Sequence, residues 1–337
     1  MYNFSEKKIL FIGPKTFNYE IEIKNELETL GAEVTYFSDK PFKNIFLIAL
    51  LRLTPNILWL ISKKIFLNKI KFYNKNYFDV VFIIKGEGIS PGLLEWLKKS
   101  NENATFILYL WDSIKNVRLV EKKFQYFDRI LSFDPVDCKN YPFIVYRPLF
   151  FINDYKNKYK NKGDGLFFLG TLNGDRRIVI SKINNYIKNK VRFDYSLLVR
   201  SNIELYVYEI QKFLSIIIGF TFHDIPLKNL IRTPMNVLEI NSKISNCNAV
   251  LDIQHIKQSG LTMRTFEVLA SGKKLITTNF NIYDHDFYDP TLIAVIDRSS
   301  PKIDLEFIDS DSNKIEEKFY LKYSCSGWLK DIFNNNN

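Results

Sequence analysis

Residues 7–37 read KKILFIGPKTFNYEIEIKNELETLGAEVTYF, and their pattern decides the fold class. The apolar run 9–12 between two lysines and Gly13 predicts a short buried strand that ends in a turn. Ile21, Ile23, Leu27 and Leu30 then recur at helical spacing, and Gly31 stops the helix. Residues 33–37 (EVTYF) give a second strand. Strand, helix, strand in this order builds a parallel sheet.

The alternation continues outward. Strands are expected at 79–84 (DVVFII), 105–111 (TFILYLW), 127–133 (FDRILSF) and 143–146, with a helix over 91–98 opened by Ser90 and Pro91. Residues 153–163 (NDYKNKYKNKG) are polar and lysine-rich and read as a linker. A second alternation follows. Its strands are 165–170 (GLFFLG), 193–199 (FDYSLLV), 249–253 (AVLDI), 274–278 (KLITT) and 292–296. Helices are expected after 176, over the apolar stretch 203–222, and over 262–270, where Gly272 ends the last one. The domain plan is therefore 1–152 and 164–314, each α/β and doubly wound, with C-terminal helices over 315–333 that fold back on the first domain. Two facing Rossmann-like domains would place a cleft between the carboxyl ends of their sheets.

Composition narrows the function classes. The chain has 337 residues, 46% of them hydrophobic and 25% charged, as in ordinary globular domains. Its three cysteines, Cys138, Cys247 and Cys325, are widely spaced, with no CxxC and no Cys/His cluster. That pattern fits a reducing compartment and argues against structural zinc. The N-terminal residues lack the features of a secretory signal, so a cytoplasmic protein is expected. The formal charge is +10, and residues 40–76 alone carry eight Lys or Arg and no Asp or Glu. Aliphatic runs interleave with these charges but are too short to span a bilayer. The segment suits the surface of an anionic membrane, peripheral on the inner face of the cell membrane. No nucleic-acid recognition motif accompanies the charge, so no nucleic-acid partner is expected.

The stretch 259–279, SGLTMRTFEVLASGKKLITTN, carries the most chemistry. A glycine loop after a strand opens a helix, so free N–H groups and the helix dipole form an anion site. Arg264 on the first turn adds a positive charge for a pyrophosphate. Glu267, one turn on, is placed to accept from ribose hydroxyls. The same two residues also have the spacing of a simple surface ion pair.

The stretch resembles the donor-binding segment of GT-B glycosyltransferases, with FFLGTLNGDRR (167–177) and FDRILSFDPVD (127–137) as weaker points of likeness. The nearest groups are the spore-maturation-type glycosyltransferase-like proteins and the glycosyltransferases of capsule and lipopolysaccharide biosynthesis. The resemblance implies a GT-B fold and a nucleotide-sugar donor. It makes Glu267 the ribose-binding glutamate. It also puts Arg264, Gly260, Leu261 and Thr262 in the phosphate-facing loop, and Gly170 and Thr171 in the glycine loop of the second domain. Many retaining members carry a second glutamate eight residues earlier, where this chain has Ser259. The stereochemistry therefore stays open.

Further candidates sit at strand ends. Glu87, in KGEG (85–88), and Asp112 each follow a strand and are equally placed as the base for an acceptor hydroxyl. The structural alternatives are helix capping for Asp112 and a turn for the glycines beside Glu87. Arg176 and Arg200 are candidates for the diphosphate, and His255 for the donor. His285 lies among Asp284, Asp286 and Asp289, a grouping read as a solvated loop, so no metal and no separate cofactor are expected.

The expected activity is metal-independent transfer of a sugar from a nucleotide sugar to a glycan or lipid-linked acceptor, in bacterial surface polysaccharide biosynthesis. The competing readings are a nucleotide-sugar epimerase and a non-catalytic membrane-surface protein on a degenerate GT-B fold.

Overall fold

The computed structural model describes residues 2–156, 163–172 and 174–334. The middle of the expected linker, 157–162, lies outside them, as does most of the expected tail at 334–337. The chain divides into two compact units. Unit 1 comprises Met1–Ile152 with Leu321–Asn337, and unit 2 comprises Asn153–Tyr320. The boundary near the C-terminus thus falls after Tyr320, six residues beyond the expected 314.

Unit 1 runs β1 (Lys8–Gly13), α1 (Tyr19–Thr29), β2 (Glu33–Ser38), α2 (Ile45–Leu53), α3 (Pro55–Ile70), β3 (Val80–Ile84), α4 (Pro91–Ser100), β4 (Thr105–Leu110), β5 (Arg129–Ser132), α5 (Pro135–Asn140) and β6 (Val145–Tyr146). Its sheet is parallel, in the order β2-β1-β3-β4-β5-β6. The winding direction reverses between β1 and β3, so the loops after those strands open a crevice at the carboxyl edge. β3 (VVFII) is buried along its whole length, as a central parallel strand covered on both faces must be. The cap expected for α4 is made: Ser90 Oγ accepts from the Leu93 N–H at 3.1 Å.

Unit 2 runs β7 (Leu166–Thr171), α6 (Arg176–Ile187), β8 (Phe193–Leu198), α7 (Asn202–Ile218), β9 (Leu230–Ile231), α8 (Val237–Ser245), β10 (Ala249–Asp252), α9 (Met263–Ala270), β11 (Lys274–Thr277), β12 (Ile293–Val295), α10 (Leu305–Asp309) and α11 (Glu317–Tyr323), whose last residues pass into unit 1. Its parallel sheet is ordered β12-β11-β10-β7-β8-β9. Counted from its own first strand, that is the Rossmann order 3-2-1-4-5-6, with the reversal between β7 and β10. Ser271 closes α9, and Gly272 at φ +69° turns the chain into β11. The sequence reading lacked α8 and β9, which are short, although the Asn236/Glu239 capping box that opens α8 is a local signal.

The last helix, α12 (Cys325–Phe333), belongs to unit 1. Trp328 is fully buried, with its ring centroid 4.3 Å from that of Phe150 and 4.8 Å from that of Tyr109. Arg147, itself buried, pairs through Nε with Asp331 at 2.9 Å and donates through Nη2 to the Lys322 carbonyl at 2.5 Å. Arg129 donates to the Asn334 carbonyl.

The basic segment 40–76 forms the hairpin α2–α3. Leu51, Leu58, Phe66 and Ile70 point into unit 1, while Phe46, Leu53, Ile57, Leu60, Ile61 and Phe72 stand exposed beside Lys43, Lys64, Lys69 and Lys71. Leu60 is 81% exposed. Among the described residues, no helix is long and apolar enough to cross a membrane.

Candidate donor and acceptor sites

In unit 2 the reversal between β7 and β10 gathers residues far apart in sequence. Asp252 ends β10 and is buried. Its Oδ2 accepts from Thr262 Oγ1 at 2.7 Å and Thr265 Oγ1 at 2.9 Å. Burial raises its pKa, while these hydroxyls, Arg176 and Arg264 oppose the shift. Thr262 is the N-cap of α9, yet its hydroxyl is turned to Asp252 and makes no capping bond to the first turn. Asn279 and Asn281 hold the same loop from the other side: their amide groups donate to the Ser259 carbonyl at 3.0 and 2.8 Å, and Asn279 also donates to that of Gly260. Leu261 packs into the core below. The start of α9 is therefore fixed by Asp252 at the end of β10 and by side chains in the segment after β11, with its N-terminus at the carboxyl edge of the sheet.

Arg264 and Glu267 form the ion pair that their spacing allows, Nη1 to Oε2 at 2.8 Å, but not as a surface pair. The Glu267 side chain is 3% exposed and that of Arg264 16%. Burial pushes Glu267 up to about 8. Tyr155 faces Arg264 and is held above its ordinary range by burial, with Arg264 opposing. A guanidinium 2.8 Å from a buried carboxylate puts a cation suited to a phosphate next to an acceptor for hydroxyls.

The other unit 2 candidates take different places. Gly170 and Thr171 lie within β7 and not in a loop after it. A Cβ on Gly170 would fall 2.6 Å from the Phe168 ring, so the glycine serves packing inside the strand. The Thr171 hydroxyl accepts from Arg176 Nη1 at 2.7 Å, and Arg176 Nε donates to the Ile253 carbonyl at 2.8 Å. Arg176 thus ties the ends of β7 and β10 together at the switch point. Arg200 is exposed, its backbone N–H donating to Glu204 Oε2 at the start of α7. His255 is half-buried and closes a local turn, its Nδ1 accepting from the Lys257 N–H at 3.2 Å. Asp289, near His285, is engaged by Thr291 and Asn313.

Sequence reasoning missed two contributors. Asp252 was visible only as one residue of the expected strand 249–253, and its place in the site comes from Thr262 and Thr265 reaching back to it. Arg298 makes a two-point pair with Asp175 at 2.6 Å and donates to the Gln254 carbonyl at 2.9 Å, bracing the loop before α6. Residues 123 apart in the chain leave no local signal for such a pair.

In unit 1 the crevice between β1 and β3 holds a buried charge cluster. Lys85 at φ +62° and Gly86 at φ +64° turn the chain sharply after β3. Glu87 is then surrounded by cations, with Lys40 at 3.5 Å, Arg52 at 3.3 Å and Lys85 at 3.9 Å. Its Oε2 is closed off from solvent, and three cations surround the carboxylate. Asp112 pairs with Lys85 at 2.5 Å and keeps a side chain 30% exposed. The capping alternative does not apply to it, since Ser113 precedes the next helical turn. Asp39 is fully buried, pushed up to about 6 by burial against the pull of Lys40 and Lys85. Lys123 Nζ donates to the Gly86 carbonyl at 2.7 Å, and burial lowers it to about 8. A Cβ at Gly88 would stand 2.2 Å from the Asp39 carbonyl oxygen, so only glycine fits this packing.

No protein-family model matches the chain, and no curated protein sequence matches it. Solved structures do. Sucrose-phosphate synthase from Thermosynechococcus elongatus is similar over 98% of this chain and 93% of that one, at 11% identity and a TM-score of 0.55. The N-terminal domain of Candida albicans trehalose-6-phosphate phosphatase is similar over 96% of this chain and 98% of that one, at 13% identity and a TM-score of 0.58. At such identities the likeness is one of fold. Two parallel six-stranded sheets, each in a Rossmann-like unit with flanking helices, give the chain the GT-B fold.

Proposed function

We propose that this protein transfers a sugar from a nucleotide-sugar donor to a glycan or lipid-linked acceptor in bacterial surface polysaccharide biosynthesis, and that it does so without a metal. The observation that carries the reading is the buried Arg264–Glu267 pair in the first two turns of α9, at the carboxyl edge of a Rossmann-ordered sheet. Donor diphosphate would lie against the α9 N-terminus and Arg264, where helix N–H groups and a fixed guanidinium stabilise the charge that grows as the sugar leaves. Glu267 would accept from the ribose hydroxyls. Asp252, Thr262, Thr265 and Arg176 are positioning residues that hold this loop before ligand arrives.

Unit 1 would take the acceptor. Of the two carboxylates first considered as base, Asp112 is the better candidate, because Glu87 is enclosed by three cations. Lys85 fixes the orientation of Asp112. Acceptor deprotonation at Asp112, attack on the anomeric carbon and departure of the nucleoside diphosphate complete the transfer.

The test is thermal unfolding with UDP, GDP, CMP and their sugars, in the presence of a chelator. One nucleotide at about 100 times its Kd should stabilise the protein by about 2.7 kcal/mol. No shift with any of them would count against the transferase reading and for the non-catalytic one.

The acceptor side makes a second expectation. The exposed face of α2–α3 combines aliphatic side chains with lysines of one sign, each worth ~1 kcal/mol near an anionic surface. The protein should float with vesicles containing phosphatidylglycerol and not with purely zwitterionic ones. Leu60→Glu combined with Lys64→Glu should abolish flotation and leave the nucleotide shift intact. Equal flotation of wild type and this variant would remove the membrane role from the hairpin.

A further inference from the structure

Helix α7 presents a second apolar face, unrelated to the basic hairpin. Of its 17 residues only Tyr208 and Ser215 are buried. Ile203, Tyr206, Ile210, Phe213 and Ile217 are between 57% and 74% exposed. They follow one another at spacings of three and four, with isoleucine at each a position and an aromatic residue at each d position of a heptad. Val207 and Leu214 widen the stripe on one flank. An exposed apolar stripe of this size on a water-facing helix calls for a partner.

We infer that the partner is α7 of a second copy of this chain, packed antiparallel across a two-fold axis. An axis between Gln211 and Lys212 sets Ile210 against Phe213 of the second copy, and Tyr206 against its Ile217, so every seam contact is apolar. A two-fold interface must be self-complementary, and this stripe is. Charge argues against an anionic bilayer as the occupant. Lys212 is engaged by Asp224 at 2.8 Å, and the exposed flank carries Glu209. Seven such side chains from each copy, at roughly 100 Å² apiece, would bury about 1,400 Å², within the ~1,200–2,000 Å² of stable interfaces.

The test is molar mass in solution for the full chain, by light scattering and sedimentation. Wild type should have twice the mass of one chain, and Ile210→Glu or Phe213→Glu should halve it, weakening association at least tenfold. Both positions are exposed, so the variants should keep the wild-type circular dichroism and the nucleotide response. A wild type that stays at one chain over the whole concentration range would overturn the inference. So would a dimer that survives both substitutions, with or without a loss of vesicle binding in the variants.

Discussion

Glu267→Gln should abolish most of the nucleotide-dependent stabilisation while leaving the free protein folded. Glutamine keeps the size and one acceptor oxygen but never carries a charge. Hydrogen bonds to an ionised group are worth about 1.5–3 kcal/mol each, so the variant should bind about 10- to 100-fold more weakly. The pH dependence gives a sharper signature. Burial holds Glu267 at about 8 in the fold, against about 4.3 in an unfolded chain. Its contribution to stability is therefore complete below about pH 4.3 and is lost as pH rises through 8. Nucleotide binding runs the other way, because the ionised carboxylate is the better acceptor for ribose hydroxyls. Between pH 6.5 and 8.5 the free wild type should lose stability relative to Glu267→Gln, while its affinity for the nucleotide rises. Titrations of both proteins across that window check this. Parallel affinity profiles for wild type and variant would remove Glu267 from the binding site.

Trp328→Ala should be the most damaging single change in the hydrophobic core of unit 1. The indole is fully buried against Phe150, Tyr109 and Phe82, and removing it leaves a cavity lined by three aromatic rings. Such truncations cost about 3–5 kcal/mol, a large share of the 5–15 kcal/mol that holds an ordinary domain together. Urea unfolding followed by circular dichroism should show an early transition for unit 1, with the nucleotide response of unit 2 retained. A loss below about 1 kcal/mol would mean that α12 is a dispensable cover and not part of the core.

Local pattern was enough for the sheet strands other than β9 and for most of the long helices. Runs such as DVVFII and TFILYLW can be satisfied only by burial on both faces of a parallel sheet, and Ser90-Pro91 and Ser271-Gly272 mark helix ends through backbone chemistry that acts within a turn. The same locality placed Arg264 and Glu267 one turn apart and Glu87 and Asp112 at strand ends. Burial was not legible. Whether Arg264 and Glu267 lie on a surface or in a core depends on what β10, β11 and the loop held by Asn279 put over them. Glu87 and Asp112 looked alike until Lys40 and Arg52 closed around the first while Lys85 paired the second and left its side chain 30% exposed. The resemblance put Gly170 and Thr171 in a loop, while Phe168 and Arg176 explain why they stand inside a strand. The sequence by itself determined two Rossmann-like windings and a helix start just after a strand end, because period and capping are short-range. Only the tertiary structure decided which charges are paired, desolvated or open, because those properties come from residues brought together across the sheet from distant parts of the chain.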